Sequence, residues 1–202
     1  VPAPGAQATV SPRPPTRTLV GANLAFVVLQ CVTSLTVTTM PLFVSVTLNR
    51  NVTDAGLVLG LCAALEIPLM LVFGALASRW PLHQLLLLGA GFGMAYCLAV
   101  SLATSVWQVA AAQILHACFV CAIGGLGISY FQELMPSALG QATTMFTNAG
   151  RISGMLSGLI FGVATAHGYR LAYVGSFGLC VGGAGILALT GRPRLCNADK
   201  LA

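Results

Sequence analysis

The sequence predicts an all-α polytopic membrane protein with six transmembrane helices, and three observations carry the prediction. Of 202 residues, 57% are apolar and 6% charged, with a mean hydropathy of +0.90. A soluble domain carries about 25% charged residues, and nine Lys and Arg with four Asp and Glu cannot cover a soluble surface. The apolar residues gather in six stretches, each near the roughly 20 helical residues that cross a hydrocarbon core of about 30 Å. The connections between them are short and, with the termini, hold most of the charge.

The elements follow in order. Val1–Thr18 has five Pro, two Arg and no long apolar core. It reads as a Pro-rich cytoplasmic linker over residues 1–18 and not as a signal peptide. The first residue is Val, as expected of a fragment or processed piece. A transmembrane domain over residues 19–191 then holds spans at about Val20–Val44, Ala55–Ala77, Gln84–Thr104, Val106–Tyr130, Ala142–Ala166 and Leu171–Leu189, and residues 192–202 form a cytoplasmic tail. With the N-terminus inside, Arg13, Arg17, Arg79, Arg192, Arg194 and Lys200 lie inside, and Arg50 and Arg170 outside. That bias follows the positive-inside rule and places both termini in the cytoplasm.

Polarity is uneven among the spans. The first carries Asn23, Gln30, Ser34 and Thr38 on one stripe, the second Glu66 and Pro68, the fourth Gln113 and His116, and the fifth Thr144, Thr147, Asn148 and Arg151 on one face. The third and sixth are nearly all apolar. Polar, polar, apolar, repeated once, is a three-plus-three pattern. An odd number of crossings inverts the second triplet, and inverted triplets build each six-helix half of major facilitator transporters.

Glu66 and Arg151 stand out most. Each lies near the middle of its span, about 16 Å and 14 Å in at 1.5 Å per residue. An ionisable group there costs about 3 kcal/mol on insertion scales and marks a pathway or a pair. Glu66 is either a protonatable coupling residue or half of a permanent ion pair with Arg151 that holds two helices together. Gln30, Ser34, Gln113, His116, Thr147 and Asn148 are candidate hydrogen-bonding groups for a polar substrate; the alternative is a set of interhelical seams. Gly154, Gly158 and Gly162 continue the fifth-span stripe as G-x-x-x-G steps suited to close helix packing. Trp80 and Trp107 fall at expected interfaces.

The strings GLVLGLCAALEIPLML, GALASRWPLH, IGGLGISYFQELMP and GQATTMFTNAGRISG resemble the carboxy-terminal half of sugar efflux transporters, the Set family of the major facilitator superfamily, from Leu19 to about Gly191. The resemblance implies efflux of sugars such as lactose, glucose and related glycosides across the bacterial inner membrane, by alternating access and against protons. It also implies a gating loop at Gly74 and Arg79, where Ser78 replaces the usual acidic residue. Gln132 and Glu133 follow the fourth span; Glu133 would pair with Arg79 or with another half, or remain a solvated acid. Such proteins have twelve spans, so an amino-terminal six-helix half, or a second copy of this chain, is the expected partner beside sugar, protons and the bilayer.

Other classes find little support. Scattered basic residues give no nucleic-acid surface. The seven cysteines have no metal spacing, and no catalytic constellation stands out, so neither a cofactor nor an enzyme is expected. The competing readings are another drug or metabolite exporter of the superfamily, and a transport-inactive structural half.

Overall fold

The computed structural model describes residues 15–190, apart from the side chains at 164 and 167. The expected tail, and all but the end of the expected linker, lie outside these residues. Each expected span is a helical rod. The first runs as α1 (Thr16–Leu42) into a π-helical turn (Phe43–Thr47), so Thr16–Thr18 of the expected linker are helix. Then come α2 (Val52–Ala77), α3 (Leu82–Leu102), α4 (Val106–Val120), a second π turn (Cys121–Gly125), α5 (Leu126–Leu134), α6 (Leu139–His167) and α7 (Tyr169–Thr190). α4, its π turn and α5 form one continuous rod, Val106–Leu134.

Local chemistry sets the boundaries. Pro15 and Pro81 immediately precede α1 and α3, because proline fixes a helix-compatible φ and its missing N–H would be unbonded there anyway. Ser105 and Gln108 form a capping box at α4, where Gln108 Oε1 accepts from Thr104 N at 2.8 Å and Ser105 N at 3.3 Å. Asn49 takes the left-handed turn before α2 at φ 51°, and Gly168 the turn into α7 at φ 102°.

Among the described helices, five are long and apolar enough to cross a membrane. α6, at 29 residues, carries Thr143, Thr144, Thr147, Asn148 and Arg151 in its first half.

Packing repeats the polarity pattern. α1 packs on α6 and α7, α4 packs on α2 and α3, and α3 meets α7. Exchanging first span for fourth, second for fifth and third for sixth maps this contact set onto itself, as an inverted repeat requires. Without a hydrophobic drive between helices in lipid, small residues permit the close van der Waals contact. A Cβ on Gly89 of α3 would overlap the Ala122 side chain, and one on Gly93 would stand 2.8 Å from the Phe119 ring. At the Arg79 end, Phe26 packs with Tyr130, Phe131 and Phe146 and joins α1, α5 and α6.

α2 and α6 are the flanking helices. α2 buries Ala55, Val58, Cys62 and Phe73, and α6 turns Ala142, Ala149, Ser153 and Ser157 inward. The opposite stripe of α6 is exposed and changes character along its length, from Thr144, Asn148 and Arg151 to Met155 and Leu159. Gly154, Gly158 and Gly162 have open space around their Cα atoms among the described residues. The close packing expected there is found instead at Gly150, where a Cβ would lie 2.6 Å from Gln30 Oε1.

Candidate functional site

α1, α2 and α4 enclose a cavity of about 300 Å³ whose wall also includes Tyr96 of α3. Its polar lining is Thr36, Cys62, Glu66, Tyr96, Gln113 and His116, and Val37, Met40, Leu59 and Ala63 complete it. Cys62 and Glu66 stand one turn apart on α2, and Gln113 and His116 three residues apart on α4, so each pair shares a helix face.

A hydrogen-bonded chain crosses the three helices. The Thr36 hydroxyl lies 2.9 Å from the Val32 carbonyl and 3.0 Å from that of Thr33, within donating distance of each. His116 Nε2 lies 3.0 Å from Thr36 Oγ1, and Nδ1 lies 3.3 Å from Cys62 Sγ. Cys62 Sγ donates to Glu66 Oε1 at 3.5 Å. The Tyr96 ring tilts over the imidazole at 4.6 Å between centroids. Gln113 is 1% exposed, and its amide lies beside the Tyr96 hydroxyl in the cavity wall. A buried amide in a cavity wall is a group that a polar ligand or water can bond.

The structure therefore brings Glu66, Gln113 and His116 together and leaves the other expected site residues elsewhere. Among the described residues Glu66 and Arg151 form no ion pair. An ion-pair lock between their helices, one of the two alternatives for Glu66, is not formed here, because α2 packs on α4 while α6 packs on α1. Arg151, Thr147 and Asn148 lie exposed on α6, and the Thr147 hydroxyl donates to the Thr143 carbonyl at 2.9 Å. Gln30 faces Gly150 across the α1–α6 seam, and Ser34 is half-buried outside the cavity lining. Gln132 Nε2 donates to Thr143 Oγ1 at 3.4 Å and ties α5 to α6. Gly74, Arg79 and Glu133 are exposed, and no Arg79–Glu133 pair forms.

Sequence reasoning missed Thr36, Cys62 and Tyr96. Cys62 carried a usable signal, four residues before Glu66. Thr36 lies off the polar stripe of α1, and Tyr96 sits in a span that reads as plain support.

A bundle of apolar helices in two inverted triplets, with a polar cavity between helices of both, is the architecture of a secondary transporter domain. The chain belongs to the Major Facilitator Superfamily, whose family model matches residues 16–196. It is 36% identical to Sugar efflux transporter A of Dickeya chrysanthemi over 146 residues, which cover 72% of this chain and 37% of that protein. Sugar efflux transporter B of Salmonella typhimurium is 35% identical over 131 residues, covering 65% and 33%. Sugar efflux transporter C of Escherichia coli is 36% identical over 124 residues, covering 61% and 32%. The chain thus spans under two fifths of the length of these relatives.

Proposed function

We propose that this chain is half of a sugar exporter of the bacterial inner membrane, working by alternating access and coupled to protons. It would act with an amino-terminal six-helix half or a second copy, with both termini cytoplasmic. The observation that carries the reading is the buried Gln113 amide in the wall of the α1–α2–α4 cavity, beside the Glu66 carboxylate and His116. A polyhydroxylated ligand needs donors and acceptors on rigid walls, and this cavity offers both. The names of the relatives favour sugar as cargo, and a transporter rather than an enzyme. Glu66 would carry the coupling proton.

The apolar wall of Val37, Met40 and Leu59 beside one carboxylate also suits an organic cation, so the test compares the two cargoes. Cells expressing the complete gene are loaded with labelled lactose or glucose, and efflux is followed for wild type, Gln113→Leu and Glu66→Gln at matched membrane abundance. Wild type is expected to export sugar, and Gln113→Leu to export it about tenfold more slowly, as loss of a buried hydrogen bond to ligand implies. No sugar efflux by wild type, with efflux of a lipophilic cation instead, would transfer the site to the second reading.

A further inference from the structure

We propose that Cys62 is a proton-controlled hydrogen-bond switch between α2 and α4. The argument starts at Thr36. In the arrangement the switch requires, its single hydroxyl hydrogen goes to a carbonyl of its own helix, Val32 at 2.9 Å or Thr33 at 3.0 Å. Its oxygen then accepts from His116 Nε2 at 3.0 Å, which puts the ring hydrogen of a neutral imidazole on Nε2 and leaves Nδ1 a bare acceptor. Cys62 Sγ stands 3.3 Å from that nitrogen and 3.5 Å from Glu66 Oε1. One thiol hydrogen thus faces two acceptors, one across the helix gap and one a turn along its own helix.

The charge on Glu66 decides between them. An ionised carboxylate is the stronger acceptor and holds the S–H within α2. When Glu66 takes up a proton, its new O–H becomes a donor toward Sγ, and the thiol hydrogen turns about the Cβ–Sγ bond to His116 Nδ1. The added proton stays on Glu66, and no other covalent bond forms or breaks. A bond inside α2 is exchanged for one between α2 and α4. α2 has few buried residues with which to hold its place, so this tie bears on the width of the cavity.

The titratable groups around Glu66 are few among the described residues. They are Cys62 on its own helix, His116 from α4, Tyr96 from α3, and Cys121 of the second π turn, whose Sγ lies 3.5 Å from the Glu66 carbonyl oxygen. α1 contributes Thr36, which does not titrate. The consequence for export rests on the transport reading above, whereas the switch can be observed without any sugar.

The test is the infrared S–H stretch of Cys62 in the complete protein in lipid vesicles, taken as the difference between wild type and Cys62→Ala across pH, with Cys62→Ser as the reference if the alanine variant does not accumulate. The expected band moves in one step with pH, and in Glu66→Gln it holds one position at every pH. In His116→Phe the acid-side position is replaced by that of a thiol without a nitrogen acceptor. A wild-type band indifferent to pH overturns the switch. A shift that persists in Glu66→Gln and disappears in His116→Phe also overturns it, because the imidazole would then take the proton. A protein that exports no sugar but shows the switching band loses the function proposed above and keeps this inference.

Discussion

At Glu66 the hydrogen-bond partner is a thiol on its own helix, and that changes what losing the charge should do. A permanent Glu66–Arg151 lock would make each single neutralisation damaging and the double one harmless. With the two on opposite flanks of the bundle, Glu66→Gln and Arg151→Gln should act independently. Their effects on membrane abundance should add to within about 0.5 kcal/mol in a double-mutant cycle, and mutual rescue would show that the pair forms in another conformation. Of the cavity, the sequence disclosed the charges and amides, because a Glu, a Gln or a His within an apolar run is conspicuous by type. It could not disclose that Gln113 and Asn148 have opposite fates, one sealed in a wall and one exposed. Both lie on polar faces, and only the packing partner of each helix separates them.

Helix scale is where periodicity was most legible and most misleading. Polarity alone indicated which spans correspond, and the contacts of α1 and α4 repeat that correspondence. The π turns left no such trace, since an extra residue within one turn is invisible to a count of apolar positions. Span four needs close approach at its π turn, and Gly89 provides it by meeting Ala122. Gly89→Val should therefore cost about 1–3 kcal/mol, as overpacking does, seen as a lower melting temperature of the solubilised protein. Gly91→Ala, whose Cβ would meet nothing within 4 Å, should leave it unchanged. Equal melting points for the two variants would mean that α3 shifts freely against α4. The far end is held differently. Arg170, at the start of α7, donates to the carbonyls of Ser101 at 3.0 Å and Ala103 at 2.8 Å, a cation placed against the negative end of α3.

Across the whole molecule, the flanking helices decide what meets the surroundings. One stripe of α6 presents Thr144, Asn148 and Arg151 toward one end and Met155 and Leu159 toward the other. Lipid would penalise the first set and welcome the second. Single cysteines along this stripe should divide by depth. Thr144→Cys and Asn148→Cys should react with a water-soluble maleimide in membrane vesicles, and Met155→Cys and Leu159→Cys should not. Of the six described native cysteines five are buried, and the labelling is done in a Cys118→Ser, Cys196→Ser background, because Cys118 is half-buried and Cys196 lies outside the described residues. Uniform labelling along the stripe would mean that water runs its full length. If the division holds, α6 carries a waterline between Arg151 and Met155: a wetted bank on one side and a dry gasket on the other, drawn by the order of residues along a single helix.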